Sequence, residues 1–321
     1  MFDKSSRKEY NNLNKTKKDT APLSTDRRHP TSNFFNKKSL NNHHKLLLNS
    51  DGQKRLKTNI RSILENSIQK KSKDESVAVL LSGGVDSMSV AFAAMNLGKN
   101  IHAYSFHLDT HESYDFRKAK EVSERFGWEF TEISIPTKQL ISDFKKLIRM
   151  GCRKKSSFEC SYPFLYVYPK IKEKEVLTGW VADGHYGHIR KAIEQLRDSK
   201  EFFDQWRDKY FLPNNRANLS FHQLIAKKYN KILILPYLDD HVKKWFYQHT
   251  WQELNQRPEK HFVRFAFDQF KDLKVNRHSN LQIGSGISDL FEELLGNKQM
   301  NFRNRSRVMD VCRDWYNKVQ V

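Results

Sequence analysis

Val77-Ala78-Val79-Leu80-Leu81-Ser82-Gly83-Gly84-Val85-Asp86-Ser87 is the stretch on which the fold of this 321-residue chain turns. A short apolar run stops in Ser-Gly-Gly. A helical pattern starts at once, through Asp86, Ser87, Met88, Val90, Ala91, Ala94, Met95 and Leu97. That order predicts a buried strand feeding a helix through a tight turn. Gly83 and Gly84 let the backbone approach a ligand closely and reach positive φ. The amides of the turn and of the first helical turn then point outward, the geometry that holds anions and phosphate above all. Ser82 and Ser87 add hydroxyl donors. Asp86 suits a phosphate-bound Mg²⁺ better than a bare phosphate. The plainer alternative is a strand–helix turn with an acid in the first helical turn, where the helix dipole favours it. No Gly-Lys-Ser/Thr follows, so the stretch is not a Walker A loop.

Outward from this point, the periodicity predicts strands over 77–81, 101–106, 128–135 and 174–178. Helices are predicted over about 86–97, 114–126 and 136–150, after an amphipathic helix on Leu56, Ile60, Ile63, Leu64 and Ile68. This alternation implies an α/β fold with a doubly wound parallel sheet, whose ligands bind at the carboxyl ends of the strands. From Tyr186 onward a mainly helical part is expected, with helices over about 188–196, 201–210, 221–229, 240–251, 260–270 and 288–295. A short apolar run covers 232–235.

The net charge is +20, with 38% hydrophobic and 29% charged residues. Residues 1–50 carry eleven Lys/Arg against four acids and no sustained apolar period, and are expected to be a basic, disordered tail. The main domain is then 51–300, with a helical extension over 301–321. No stretch of roughly 18 apolar residues is present to span a membrane, and the tail lacks a signal-peptide core. The basic balance attracts polyanions, so nucleic acid is a candidate partner through the surface and the tail. Cys152, Cys160 and Cys312 make no disulfide framework, which suits a reducing, cytoplasmic setting. Cys160 is either a buried structural thiol or a reactive one near a cleft. His107, His111, His185 and His188 lack partners at zinc spacing.

The fourth predicted strand ends in Thr178-Gly179-Trp180-Val181-Ala182-Asp183, again strand, Gly turn, then an acid. In a parallel sheet Asp183 lies near Asp86, and two carboxylates facing one triphosphate make a Mg²⁺ site. The alternative is that Asp183 caps the next helix. Lys260 and Arg264 lie one turn apart on one predicted helix face. They either screen an anion or form an exposed basic face.

The first motif looks like the PP-loop of the ATP pyrophosphatases, which cleave ATP between the α- and β-phosphates. Ser82–Ser87, Gly179–Asp183, Pro236-Tyr237-Leu238-Asp239, Lys260-His261-Phe262-Val263-Arg264 and Arg277 leading to Gly284-Ser285-Gly286 follow in order. The series resembles the synthetase domain of the asparagine synthetases. The resemblance implies an adenine nucleotide alpha hydrolase-like fold and an AMP- and pyrophosphate-forming ligase. ATP would be bound at Ser82, Gly83, Gly84, Asp86, Ser87, Ser105, Phe106 and Gly179, and Mg²⁺ at Asp86 and Asp183. Asp86, Asp183, Lys260 and Arg264 would serve catalysis, and Asp239 would meet the substrate or merely cap a helix. The implied partners are a small-molecule carboxylate and ammonia or another amine. Two departures bear on the amide-forming half: Trp180 stands where the family has Glu, and His278-Ser279 where it has Lys. Phe2 follows Met1 where the family's glutaminase nucleophile would be, so no glutaminase is expected in this chain. Two alternatives stay open: an enzyme modifying a nucleobase in tRNA or DNA, and a nucleotide-binding module without catalysis.

Overall fold

Strand β1 (Ser76–Leu80) buries Val77 and Val79 among one set of apolar side chains and Ala78 in another. A strand points successive side chains to opposite faces, so the apolar run from Val77 to Leu80 needs cover on both sides. The computed structural model describes residues 50–152, 155–187, 193–213, 218–275, 280–295 and 317. The tail expected over 1–50 lies outside them except for Ser50, and the extension over 301–321 except for Asn317.

Helix α1 (Ser50–Lys71) leads into β1 and buries Ile60, Leu64 and Ile68 at helical spacing. Helix α2 (Val85–Asn96), β2 (Asn100–Leu108), α3 (Tyr114–Phe126) and β3 (Glu129–Ile135) follow within a residue or two of the predicted limits. Gly127 stops α3 at φ 66, a left-handed backbone that costs glycine nothing. The helix expected over 136–150 begins as a 3-10 turn, Thr137–Gln139, and becomes α4 (Leu140–Arg149) afterwards. The Thr137 amide donates to Asp109 Oδ1 at 3.1 Å, satisfying one of the orphan donors of this first turn. Two short helices that no apolar period announced come next, α5 (Lys155–Ser161) and α6 (Phe164–Val167). Then comes β4 (Glu175–Thr178).

The later helices are α7 (Ile193–Asp198), α8 (Lys200–Phe211) and α9 (Leu219–Lys228). The apolar run at 232–235 turns out to be a strand, β5 (Ile232–Ile234), paired in parallel with β4. The helix expected over 240–251 divides into α10 (Asp240–Tyr247) and α11 (Trp251–Leu254). Thr250 and Glu253 form a capping box there, and such a box starts a new helix. The helix expected over 260–270 also divides, because Phe267 adopts extended backbone between α12 (His261–Ala266) and a 3-10 turn, Asp268–Phe270. Helices α13 (Leu281–Gly284) and α14 (Ile287–Leu295) complete the described part.

The five strands pair in parallel in the order β3-β2-β1-β4-β5. The chain winds outward from β1 to β3, then returns to place β4 against β1's other edge. Strand order therefore reverses between β1 and β4, and such a switch opens a crevice at the strands' carboxyl ends. Among the described residues no helix is long and apolar enough to cross a membrane.

Candidate active site

The crevice is a cavity of about 810 Å³ lined by the loops after β1 and β4, the end of β2 and the segment before α12. Its floor is the Ser82–Ser87 turn. Gly83 sits at φ 67, and a Cβ there would meet Lys118 Cβ and Cγ at 2.6 Å. Only glycine satisfies both the backbone and the space. Gly84 is the N-cap of α2 and supplies no side-chain cap, so the first-turn amides keep the anion-binding character of a bare helix start.

The two serines differ. Ser87 is buried, and its hydroxyl donates to the Gly84 carbonyl at 3.1 Å while accepting from the Ser82 amide at 3.1 Å. The Ser82 hydroxyl, 3.0 Å from Ser87 Oγ, lies on the exposed side of the turn. Ser87 therefore shapes the loop in this geometry, and Ser82 is the hydroxyl presented to a ligand.

Gly179, at the end of β4, lies against the start of α2. A Cβ on it would come within 2.6 Å of the Asp86 carbonyl carbon and 2.7 Å of the Ser87 amide. This contact brings the second motif onto the first. Lys260 then joins the two acids. Its Nζ bonds to Asp183 Oδ1 at 2.7 Å and also to Asp86 Oδ2. Lys260 is buried, Asp86 is 17% exposed and Asp183 is 41% exposed. Burial alone would lower the Lys260 pKa, but the Asp183 and Asp86 carboxylates hold it above its ordinary value. The Nζ also lies 5.3 Å from the centre of the Tyr186 ring, a cation–π distance.

Lys260 and Arg264 both line the cavity, but not as successive rungs of one helix face. α12 starts at His261, and Lys260 is its N-cap in left-handed backbone, φ 58. Its carbonyl accepts the first helical bond from the Arg264 amide at 3.0 Å. This backbone turns the lysine inward to the carboxylates, so Lys260 is not part of an exposed basic face. A left-handed non-glycine residue costs about 1–2 kcal/mol, and such strain gathers at functional sites.

Ser105 and Phe106 also reach the cavity. β1 ends at Leu80, and the Leu81 amide makes one more bond, to the Tyr104 carbonyl at 2.9 Å. β2 continues to Leu108. Phe106, two residues past Tyr104, turns its peptide edge to the same side, beyond the end of β1.

Asp239 is not brought to this cavity. It caps α10 by accepting from the His241 amide at 3.0 Å and pairs with Lys71 at 2.9 Å beside a separate cleft of about 260 Å³. Of the two roles left open for Asp239, the geometry shows the helix cap. Cys160 lines the cavity and donates to Gln282 Oε1 at 3.7 Å; burial pushes its thiol up to about 12, far from a reactive thiolate. His185 is buried, donates to the Tyr237 carbonyl at 2.8 Å, and is pushed down to about 3 by burial. His188, Arg277, His278 and Ser279 lie outside the described residues, as does Cys312. Sequence reasoning missed Asn218, Arg257, Glu259 and Gln282, which line the cavity from loops and short helices without any local pattern to mark them.

The donor set suits Mg²⁺. Two carboxylates from different strand ends already converge on one cation, the Lys260 ammonium, beside a bare helix start. Among the described residues no cluster of three or more His, Cys, Asp or Glu is placed to enclose a metal. Mg²⁺ takes one or two carboxylates and completes its shell with phosphate oxygens and water, so the pair fits that ion better than a protein-only cage.

A profile of the asparagine synthase family matches residues 59–234. The carboxyethyl-arginine beta-lactam-synthase of Streptomyces clavuligerus is 29% identical over 136 residues, 41% of this chain and 26% of that protein. The chain thus matches about a quarter of the length of that curated relative. Among solved structures, NMN synthetase from Francisella tularensis is 16% identical, covering 83% of this chain and 93% of that one, with a TM-score of 0.33. A tRNA thiolase from Methanococcus maripaludis is 13% identical, covering 81% and 79%, with a TM-score of 0.30.

Proposed function

The chain belongs to the asparagine synthase family, and from that premise we propose that it is an ATP-dependent ligase forming AMP and pyrophosphate. It would adenylate a carboxylate or amide oxygen of an acceptor, which ammonia or another amine then attacks. One observation carries the reading: Asp86 and Asp183, from the ends of adjacent strands, converge on a single cation at the bare N-terminus of α2.

The α2 start and the Ser82 hydroxyl bind the departing pyrophosphate, where fixed donors stabilise developing negative charge. The Phe106 peptide edge holds the adenine ring by backbone hydrogen bonds, leaving the α-phosphate above the β1–β4 crevice. Asp86 and Asp183 would hold Mg²⁺, which neutralises charge on the β- and γ-phosphates when bound. Lys260, which bonds one oxygen of each carboxylate, would contribute a further positive charge beside the phosphates. Arg264, one turn along α12, adds a second cation to the same wall. The thiols of Cys152 and Cys160 suit a reducing, cytoplasmic setting.

The test is product analysis with the full chain, Mg²⁺ and ATP, together with ATP–pyrophosphate exchange. AMP and pyrophosphate are expected, and Asp86→Ala or Asp183→Ala should abolish metal-dependent nucleotide turnover. ADP as the main product, or variants that turn over ATP like the parent, would refute the assignment.

A further inference from the structure

The cavity has a second wall that the nucleotide reading does not use. Trp180 follows Gly179, whose backbone touches the start of α2, so the indole is rooted beside the phosphate end. The Trp180 amide donates to Thr178 Oγ1 at 3.2 Å. Its ring stacks on His222 at 4.5 Å and 14°, and meets Phe164 edge-on at 5.7 Å. His222 is fixed by the Tyr168 hydroxyl at 2.8 Å, and burial pushes its pKa down to about 3, so the ring beneath the indole is neutral. Phe164 in turn meets Phe106 at 6.2 Å. A rigid, uncharged aromatic plate therefore stands next to the phosphate site.

Neutral polar groups line the cavity too. Asn218, Gln282 and Ser156 line the same cavity. Ser157 Oγ donates to Asn218 Oδ1 at 2.6 Å and the Asn218 NH₂ reaches the Ser156 carbonyl at 3.5 Å, which fixes that amide's orientation. Among the described residues, the cavity's charged groups are Asp86, Asp115, Asp183 and those of the 257–264 segment. Trp180, Asn218 and Gln282 add a stacking surface and amides to them.

We propose that the acceptor is a planar nitrogen heterocycle carrying a lactam, the chemistry of a nucleobase, held against Trp180 with its lactam oxygen towards the α-phosphate. The inference rests on the AMP-forming reading and narrows its acceptor. The lactam oxygen forms a bond to the α-phosphorus of ATP, and the bond from that phosphorus to the pyrophosphate oxygen breaks. Pyrophosphate leaves with the electron pair, and the ring N–H proton goes to solvent. The base can be a free nucleoside or part of a polynucleotide; the +20 net charge suits the latter's phosphates.

The experiment uses the full chain in two formats. Calorimetry without ATP measures binding of uridine, thymidine, guanosine, bulk tRNA and a single-stranded oligodeoxynucleotide, with L-aspartate and L-glutamate as the aliphatic arm. ATP–pyrophosphate exchange is then measured with the same compounds. At least one lactam base should bind and stimulate exchange, and the polynucleotide arms tell which source is used. Trp180→Phe should keep acceptor affinity to within about threefold, whereas Trp180→Leu should weaken it by about 5- to 150-fold, the loss of one base–aromatic stack. Binding by no base, exchange stimulated only by the aliphatic acids, or unchanged affinity in Trp180→Leu overturns the inference. A base that binds through Trp180 while ATP yields ADP supports the wall and refutes only the AMP-forming reading.

Discussion

Lys260→Met removes the cation that Asp86 and Asp183 share while keeping much of the buried stem's volume. Breaking a fully buried ion pair costs about 3–5 kcal/mol, because a charge is left without a partner. Asp86 is 17% exposed, so its share is a little below that range, about 2–3 kcal/mol. Asp183 is 41% exposed and solvent screens it, which leaves about 0–1 kcal/mol. The total, about 2–4 kcal/mol, corresponds to a fall in Tm of about 4–8 °C for a domain of this size. A divalent cation can take the vacated place between the carboxylates. With a Kd of about 1 mM, 10 mM Mg²⁺ would return about 1.4 kcal/mol to the variant. The parent, whose two carboxylates already share the Lys260 ammonium, should respond less. Scanning calorimetry of both proteins in EDTA and in 10 mM Mg²⁺ measures all four values. A variant that melts within 1 °C of the parent in EDTA, or that gains no more from Mg²⁺ than the parent does, refutes the reasoning.

Gly179→Ala should lower stability by about 1–3 kcal/mol, since its Cβ would meet backbone atoms of Asp86 and Ser87 at 2.6–2.8 Å, and should weaken ATP binding as β4 is pushed off α2; an unchanged urea midpoint and nucleotide affinity would contradict the close approach. Asp239→Ala should cost about 1 kcal/mol through the lost helix cap, without changing ATP–pyrophosphate exchange. Burial alone would raise the Asp239 pKa, but Lys71 and the His241 amide hold it below its ordinary value. Its contribution is therefore present above the unfolded pKa and is lost as pH falls, so the gap between parent and variant in urea melts should close below about pH 4. A gap that widens on acidification would be the wrong sign. Cys160 should resist iodoacetamide at pH 8 in the native protein and react on unfolding, because burial pushes its thiol up to about 12; rapid native labelling, read by mass spectrometry, would show the thiol to be accessible.

The local parts of the fold were legible in the residues. The switch from apolar run to Ser-Gly-Gly to helical spacing placed β1 and α2 within one residue, because strand period, glycine φ and helix period are all properties of short stretches. Alternating strands and helices likewise implied a parallel sheet, since parallel neighbours need a crossover. β5 was too short, at three residues, to declare itself; only its pairing with β4 makes Ile232–Ile234 a strand. The site followed the same division. The two Gly-then-acid motifs could be read one by one, and Asp183 could be set near Asp86 by sheet logic. That Lys260, 174 positions from Asp86, bridges them could not. Helical spacing set Lys260 in line with Arg264, but the left-handed cap turns the lysine away from that line and into the interior. The Trp180 wall is likewise a tertiary product, made where β4, α6 and α9 meet. Sequence fixes what each segment can form alone; which buried charges and rings meet depends on how the strands are ordered, and no local pattern carries that order.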